Sequence, residues 1–556
     1  MRIHIFQGET LLAALQRLQV HIDAPCNGNG TCGKCKADIY GIGTVNACQF
    51  KEPGTYEVTI PKQPEFHVVT FHAAMDEGTN GDATLESVAV VDLGTTTVAV
   101  RLFENGQHTD TAFVNPQRCY GADVMSRIRA AVEGREAELQ KLIADSLKKA
   151  IGSAKHIIIS GNTVMQHILQ GLPCEGLGQA PFHPADISLH RVNGEKLGLA
   201  GDINTAQDST ITFLPGISTY VGADIVSGIY ALDIARNKEV TLLVDLGTNG
   251  EMALGNRDKI LVTSASAGPA FEGSELAQRI HGSGIMRLLH EMLEAGIMDE
   301  TGYIVDSTEI INKAKPESFI KADFLTELEK SAERKDSADR KELTDQSVHE
   351  SFTSDITQDE VRDIQMAKAA IHAGVQILLK EYGISPEQVD KIYLAGGMGY
   401  YLDPEDALAI GLLPEEFRGR IVAAGNTSLQ GAVRYASQLE EAAKHGNIAK
   451  KPQDCTTDAT PSSADSTNKA TSVNTNNTAP ASVNSTIPAS AINTIPASTD
   501  RAVPDGINSA APAQALTHIV DISQEIILAD NPIFEELYLD SMNFDITREH
   551  GQGPVQ

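Results

Sequence analysis

The stretch Val88-Ala-Val-Val-Asp92-Leu-Gly-Thr-Thr-Thr97, which runs on through apolar residues to Phe103 and the turn Glu104-Asn-Gly106, decides the fold. An apolar run, a polar turn and a second apolar run predict a β-hairpin between two buried strands. A turn rich in glycine and threonine presents amide and hydroxyl donors to phosphate oxygens. A carboxylate at its entrance can hold Mg2+ through water. This turn is therefore a candidate phosphate loop.

The same pattern recurs about 150 residues later, as Leu242–Val244 followed by Asp245-Leu-Gly-Thr-Asn-Gly-Glu251 and the apolar Met252–Leu254. A third glycine-rich element, Ile392-Tyr-Leu-Ala-Gly396-Gly397-Met-Gly399, predicts a short strand and a turn that lets the backbone approach a nucleoside. Ala424-Gly-Asn-Thr-Ser428 is expected to close the same pocket. A ligand-free glycine hairpin would explain one of these elements, but not three in this order.

A dinucleotide site is the competing interpretation of these glycines. It requires G-x-G-x-x-G after a strand and an acidic residue further on, and neither hairpin has this pattern. A Walker lysine is also missing. Asp123, Asn162 and Asp224 stand at predicted element ends, where contacts to magnesium-bound water or contacts of domain closure could lie. Each is expected to be a helix cap rather than a catalytic group.

Four cysteines near the N-terminus form a second candidate site. Three of them, Cys26, Cys32 and Cys35, lie in one glycine-rich loop, and the fourth, Cys48, lies in the next segment. The spacing is close to the C-x4-C-x2-C plan of plant-type [2Fe–2S] ferredoxins. Glycines at 28, 30 and 33 let backbone amides point at sulfur. A structural zinc site is the alternative, but zinc sites usually pair two C-x2-C units and only Cys32 and Cys35 form one.

Bulk properties exclude several classes of function. The formal net charge of −30 disfavours nucleic acid and anionic membranes as partners. No apolar run approaches the roughly 18 residues of a membrane span, and the N-terminus has no signal-peptide pattern. Seven cysteines, four of them clustered, favour a reducing, cytoplasmic location over a disulfide scaffold.

Composition divides the 556 residues into six segments. They are a segment with the four clustered cysteines at 1–62, a linker at 63–87, a segment with the first hairpin at 88–210, a segment with the second hairpin and the glycine turn at 211–447, a low-complexity tether at 448–516 and a C-terminal strand–helix piece at 517–556 that returns to the preceding domain. The tether is rich in Ser, Thr, Asn, Ala and Pro and cannot bury enough apolar surface to order itself. A strand is predicted at 518–523 and a helix at 532–544. Thr10 is expected to cap a first helix, and Thr357 with Glu360 to form a capping box.

These motifs resemble two known groups of proteins. The N-terminal segment resembles β-grasp [2Fe–2S] ferredoxins, and the repeated hairpins resemble the actin, chaperone and sugar-kinase ATPases, whose two ribonuclease-H-like halves close on one nucleotide. The combination resembles the reductive activators of corrinoid proteins. The fold that this resemblance implies is an α/β multi-domain chain. It has a [2Fe–2S] ferredoxin-like domain at 1–62 and a duplicated ATPase domain, with subdomain I at 88–210 and subdomain II at 211–447.

The resemblance also implies a chemistry. Proteins of this family use ATP to reduce the inactive Co(II) corrinoid of a methyltransferase system to Co(I). The four cysteines would hold the [2Fe–2S] cluster, and Asp92 and Asp245 would be the catalytic carboxylates, with Mg2+. Nucleotide-binding residues carried over by the resemblance are Gly94, Thr95, Thr96, Gly247, Thr248, Asn249, Gly396 and Gly397. Implied partners are a corrinoid protein and a low-potential electron donor, with a homodimer as a possible assembly.

Three other functions stay open at this point. The chain could be an ATP-driven electron donor to a non-corrinoid enzyme, a sugar or acid kinase with a regulatory cluster, or a redox-sensing, ATP-switched binding module. The absence of a recognisable sugar-binding signature argues against the kinase. The N-terminal position and plant-like spacing of the cysteines argue against donors that hold a [4Fe–4S] cluster between subunits.

Overall fold

The computed structural model describes residues 1–18, 35–60, 87–197, 209–267, 282–304, 356–396, 402–444 and 512–544, together with single residues at 20, 22, 24, 28, 30, 33, 85 and 199. The predicted site residues Cys26, Cys32 and Gly397 lie outside these ranges, as do nearly all of the linker at 63–87 and the tether up to residue 511. The described residues up to Glu441 and from Pro512 onward belong to one compact unit.

The N-terminal module is a four-stranded sheet covered by one helix. Its strands are β1 (Arg2–Ile5), β2 (Lys36–Ile39), β3 (Gly43–Asn46) and β4 (Gly54–Thr59), in the order β1-β4-β2-β3, and all paired strands are antiparallel. Helix α1 (Leu11–Arg17) begins at the predicted cap, because Thr10 Oγ1 accepts the Ala13 amide at 3.0 Å. Alternate residues of β1 and the buried face of α1 form a small core of their own.

A six-stranded mixed sheet follows. Its strands are β5 (Val88–Leu93), β6 (Thr97–Glu104), β7 (Gln107–Val114), β8 (His156–Gly161), β9 (His190–Asn193) and β10 (Thr210–Phe213), in the order β7-β6-β5-β8-β10-β9. β5, β8 and β10 run parallel, and β6 and β7 add an antiparallel meander. Asn105 and Gly106 both have positive φ, as a two-residue turn between twisted strands requires. The hairpin predicted from the opening stretch is confirmed.

Helices pack against this first sheet. They are α2 (Val124–Ala130), α3 (Glu136–Ala150), α4 (Thr163–Gln170) and α5 (Ala223–Ala231). Asp123 caps α2 through the Ser126 amide, and Asn162 caps α4 through the Val164 amide, so both predicted caps are present. The cap predicted at Asp224 is wrong, because Gly222 is the capping residue of α5 and Asp224 lies in the first turn of that helix.

A second six-stranded sheet has the same arrangement of its first four strands. Its strands are β11 (Thr241–Leu246), β12 (Gly250–Gly255), β13 (Ile260–Ala265), β14 (Lys391–Ala395), β15 (Ile421–Gly425) and β16 (Ser523–Glu525), in the order β15-β14-β11-β12-β13-β16. Counted in chain order within each sheet, the first reads 3-2-1-4-6-5, and the second, read from its other edge, is 6-3-2-1-4-5. Both therefore contain the order 3-2-1-4, with an antiparallel meander on one side of the first strand and a parallel strand on the other. The first strand of each sheet runs into one of the two predicted phosphate loops.

The helices of this second half are α6 (Gly282–Glu294), α7 (Gln358–Tyr382), α8 (Pro404–Ala409) and α9 (Thr427–Lys444). Helix α7 begins with the predicted capping box, since Thr357 Oγ1 accepts the Glu360 amide and the Glu360 carboxylate accepts the Thr357 amide at 2.8 Å. No helix among the described residues combines the length and the apolar character needed to cross a bilayer.

The C-terminal segment 512–544 forms a strap across this part of the molecule. It contains α10 (Pro512–Ile522), β16 and α11 (Phe534–Asp540). The strand predicted at 518–523 is wrong over most of its length, because Leu516 and Ile519 are buried at helical spacing and residues through Ile522 are helical. Helix α10 also includes residues 512–516, which the sequence assigned to the tether. β16 then extends the second sheet in parallel with β13.

Candidate functional site

Asn115 fixes the backbone of the first candidate phosphate loop. This fully buried side chain donates to the Gly94 carbonyl at 2.9 Å, and its backbone amide donates to the Thr96 carbonyl at 2.8 Å. Gly94 has no room for a side chain, since a Cβ there would lie 2.5 Å from the Thr97 carbonyl oxygen. The loop therefore has a fixed conformation, with Asp92 at its entrance.

The second loop meets the first. Thr96 Oγ1 and Thr248 Oγ1 are in hydrogen-bond contact, although 152 residues separate them, and both side chains are buried. Within the second loop, the Gly247 amide donates to the Asn249 carbonyl at 3.1 Å. The structure thus brings together the two loops that the sequence singled out, across the two sheets.

The glycine turn after β14 contacts the second loop. Gly396 has a φ of +89°, and a Cβ at this position would lie 2.5 Å from Asp245 Oδ1 and 2.6 Å from the Leu246 carbonyl oxygen. The contact follows from the parallel pairing of β11 and β14, which puts Ala395 beside Asp245. Gly396 therefore lies where a third element of a nucleotide site would be needed.

The turn 424–428 contacts Asp92 from the other half of the domain. Asn426 Nδ2 donates to Asp92 Oδ2 at 2.8 Å, and Ser428 Oγ donates to Asp92 Oδ1 at 2.7 Å. Both carboxylate oxygens thus have a donor from the start of α9. The sequence predicted a role for this turn in the nucleoside pocket, and it gave no indication of this contact.

Two further carboxylates face the loops. The sequence placed Asp224 where contacts to magnesium-bound water could lie but favoured a helix cap, and it gave Glu251 no role. Burial, with the charge of Asp92 adding to it, raises the pKa of Asp224 to about 7. Burial, the charge of Asp224 and that of Asp245 raise the pKa of Glu251 well above its usual value, while Asn249 Nδ2 donates to Glu251 Oε1 at 3.1 Å. Burial also raises the pKa of Asp92. The signal for Glu251 was its place in the quoted motif, two residues after Asn249.

This acidic cluster has the chemistry of a Mg2+–phosphate site. Among the described residues, no group of three or more His, Cys, Asp or Glu side chains is arranged to enclose a metal ion by itself. Mg2+ usually keeps several waters and takes only one or two carboxylates together with substrate phosphates. The donors present, carboxylates flanked by threonine hydroxyls and loop amides, fit that mode of binding.

Only half of the predicted cysteine site belongs to the described residues. Cys35 and Cys48 are both buried, and the Cys48 amide points at Cys35 Sγ at 3.4 Å. The Ala47 amide also donates to the Cys35 carbonyl at 2.7 Å, which holds the two segments together. Amide-to-sulfur hydrogen bonds of this kind stabilise sulfur ligands of iron–sulfur clusters and tune their potential. The pair fits the predicted cluster, and Cys26 and Cys32 lie outside the description.

Two family models match this chain over the region that carries the loops. The model described as RACo middle region matches residues 87–237, and the model described as the C-terminal domain of RACo, the ASKHA domain, matches residues 239–278 and 273–483. The chain belongs to the RACo family. The family predicted from the motifs is thereby confirmed, and the second half of this RACo chain is an ASKHA-type domain.

Two curated relatives support the same assignment. "Corrinoid activation enzyme RamQ" from Eubacterium limosum is 32% identical over 389 residues, covering 63% of this chain and 64% of the relative. The match therefore spans less than two thirds of that relative. "[Co(II) methylated amine-specific corrinoid protein] reductase" from Methanosarcina barkeri is 25% identical over 395 residues, covering 65% of this chain and 72% of the relative.

A solved structure has the same fold over nearly the whole length. The "Reductive activator for corrinoid,iron-sulfur protein" matches with a TM-score of 0.56 and 19% identity, covering 97% of this chain and 96% of that chain. At this level of identity the comparison concerns the fold alone. It agrees with the mixed α/β sheets described above.

The raised pKa of Asp224 gives a testable pH dependence. A carboxyl whose pKa is raised in the folded protein holds more protons folded than unfolded, so stability falls as pH rises between its usual value of 3.8 and about 7. In EDTA, we expect Asp224→Asn to be more stable than the wild type at pH 8, by more than about 1 kcal/mol, the value of one pKa unit. At pH 4 the difference should shrink. Urea unfolding at both pH values measures it, with Asp123→Asn as the control at another helix start.

Proposed function

We propose that this protein is an ATP-dependent reductive activator. It would pass one electron to the Co(II) corrinoid of a methyltransferase system, which restores Co(I). The observation that carries the proposal is the contact of the two loops, Thr96 with Thr248, beside a cluster of carboxylates with raised pKa values, in a chain of the RACo family. The curated relatives named as a corrinoid activation enzyme and a corrinoid protein reductase support the choice of substrate.

The finer architecture is part of this proposal. We assign the first module to the β-grasp [2Fe–2S] ferredoxins and the two sheets to duplicated ribonuclease-H-like halves. The shared strand order of the sheets supports the duplication, as does the position of a Gly-Thr loop after the first strand of each. The buried Cys35 and Cys48 pair supports the ferredoxin assignment.

Each element has a separate task in this proposal. The loops after β5 and β11 would bind the phosphates through Thr95, Thr96, Gly247 and Thr248, and the Gly396-Gly397 turn would contact the adenosine. Asp92 and Asp245 would hold Mg2+ through water, with Asp224 and Glu251 completing the negative surroundings. Since four carboxylates without a cation repel one another, Mg2+–ATP would relieve this repulsion as it binds. Cys26, Cys32, Cys35 and Cys48 would hold the cluster.

The need for ATP follows from reduction potentials. A bound plant-type [2Fe–2S] cluster would supply one-electron transfer at about −400 mV. Co(I) in a corrinoid is a still stronger reductant, and a deficit of about 120 mV corresponds to about a hundredfold unfavourable equilibrium for one electron. We infer that closure of the two halves on ATP changes how the protein holds its corrinoid partner. A low-potential donor would then reload the N-terminal module.

Corrinoid absorbance tests the proposal directly. Purified protein, a Co(II) corrinoid protein and a chemical reductant are mixed anaerobically with or without Mg2+–ATP. We expect the Co(I) band to appear at least ten times faster with ATP. Cys35→Ser should remove the electron transfer and leave ATP binding intact. Asp245→Asn should weaken ATP binding and slow Co(I) formation to the rate seen without ATP, while the N-terminal module can still be reduced. Equal rates with and without ATP would refute the proposal, as would full activity of the Cys35→Ser variant.

A further inference from the structure

Asp92 is held from the opposite half of the domain. Its carboxylate lies at the end of β5, but its two side-chain donors, Asn426 and Ser428, come from the turn between β15 and α9. Burial favours the neutral form of Asp92, and these two hydrogen bonds favour the ionised form. A carboxylate with a donor on each oxygen has one orientation, since rotation about its final bond would break both contacts.

Ser428 joins Asp92 to a buried group of hydroxyls. Ser160 Oγ lies 2.9 Å from Ser428 Oγ and 2.9 Å from Ser227 Oγ, and it also contacts the Ala223 carbonyl at 3.0 Å. All three serines are buried. Ser160 ends β8 and Ser227 lies in α5, one turn after Asp224. The network therefore links three elements: the strand beside Asp92, the helix that carries Asp224 and the start of α9.

The two helices of this network touch backbone to backbone. A Cβ at Gly431 of α9 would lie 2.0 Å from the Ser227 carbonyl oxygen, and one at Gly228 of α5 would lie 2.9 Å from Thr427 Oγ1. Contacts this close leave little freedom for α9 to slide against α5. The two residues that donate to Asp92 therefore lie at the start of a helix, α9, that is closely packed against α5.

We propose that Asn426 and Ser428 are positioning residues that set the orientation of Asp92 for Mg2+–nucleotide binding. The inference rests on the proposed function, in which Asp92 holds Mg2+ through water, and it adds two residues to that site. Because the donors belong to the second half, Asp92 is in its binding orientation only when the halves are together. Binding of the cation and closure of the domain are therefore linked through this carboxylate.

The test compares variants by their need for Mg2+. A fluorescent ATP analogue is titrated at a series of Mg2+ concentrations and again in EDTA. Ser428→Ala removes one charge-assisted hydrogen bond, and we expect the Mg2+ concentration for half-maximal binding to rise about tenfold. Nucleotide binding in EDTA should stay within about twofold of the wild type, because the loops themselves are unchanged. Ser428→Thr, which keeps the hydroxyl, should restore most of the affinity for Mg2+.

The variant at Asn426 must keep the helix cap that this residue also provides. Its Oδ1 also caps α9 by accepting the Leu429 amide at 2.8 Å. Asn426→Asp keeps a capping oxygen but replaces the donor with a second negative charge, so it should raise the Mg2+ requirement at least as much as Ser428→Ala. Ser227→Ala is the matched control, since it removes a buried hydroxyl from the same network without touching Asp92, and its Mg2+ requirement should equal that of the wild type. Thermal unfolding verifies that every variant is folded.

Three results would overturn the inference. They are an unchanged Mg2+ requirement in Ser428→Ala, a lowered requirement, and an equal rise in Ser227→Ala. A wild-type protein that binds nucleotide with no dependence on Mg2+ would instead refute the magnesium site of the proposed function, and the positioning role with it. The wild-type titration therefore separates the two failures.

Discussion

Removing residues 512–556 should leave a chain that does not fold at 37 °C. The strap contributes four large side chains that are almost fully buried: Leu516, Ile519, Leu528 and Phe544. At about 1.5–3 kcal/mol for each buried side chain, their loss amounts to about 6–12 kcal/mol. That is comparable to the whole stability of a typical domain. We expect the truncated chain to be insoluble, or to lack a cooperative thermal transition by circular dichroism.

Polar contacts of the strap add to this expected loss. Lys368 lies fully buried in α7, where its Nζ donates to the Asn543 carbonyl at 2.5 Å and stands 5.0 Å from the centre of the Phe544 ring. Gln365 donates to the Met542 carbonyl at 3.1 Å, and the Phe544 amide donates to the Glu300 carbonyl at 2.7 Å. Truncation would leave a buried ammonium group without two of its contacts, which costs more than the loss of apolar area alone.

The matched control keeps the strap and shortens the segment before it. Deleting residues 461–490 leaves the strap attached and removes only low-complexity sequence. Halving the length of a connecting segment changes the free energy of loop closure by only about 0.6 kcal/mol, so the melting temperature should stay within a few degrees of the wild type. Leu516→Ala, which should cost about 2–5 kcal/mol, gives a graded measurement if the truncated chain cannot be recovered. A truncated chain that melts like the wild type would show that the strap is dispensable.

The sequence predicted the fold where its signals were local. Alternating and continuous apolar runs, glycine turns and the Thr357–Glu360 box identified the hairpins and the long helix α7. The strap was harder to predict, because the short stretch 516–522, with apolar residues at 516, 519, 520 and 522, fits a strand as well as a buried helix. Only the packing of Leu516 and Ile519 against α5 and its neighbours decides for the helix.

The sequence predicted those residues of the site that belong to recognisable motifs. Asp92, Asp245 and the threonines stand in recognisable loops, and the structure brings both loops together. Asn426 and Ser428 have no such signal, because their contact with Asp92 joins residues more than 330 positions apart. For Asp224 the sequence favoured a helix cap over contacts with magnesium-bound water. Its proximity to Asp92 and Glu251 depends on how two sheets pack, which no local pattern encodes.

Gly396→Ala should abolish nucleotide binding. The new Cβ would lie 2.5 Å from Asp245 Oδ1 and 2.6 Å from the Leu246 carbonyl oxygen, so either the glycine turn or the second phosphate loop must shift. One of these contacts is backbone and cannot rotate away. A displacement of about 1 Å at a positioned group commonly costs about a hundredfold. We therefore expect ATP affinity to fall by at least that factor in the fluorescent-nucleotide titration.

Gly383→Ala separates this clash from simple backbone strain. Gly383 follows α7 with a φ of +85°, close to the +89° of Gly396, but a Cβ there would meet no atom within 4 Å. Both variants carry the left-handed penalty of about 1–2 kcal/mol. Only Gly396→Ala also pushes on Asp245. If both variants lose affinity equally, global destabilisation explains the effect. If Gly383→Ala melts earlier yet binds ATP normally while Gly396→Ala does not bind, the turn after β14 is part of the nucleotide site.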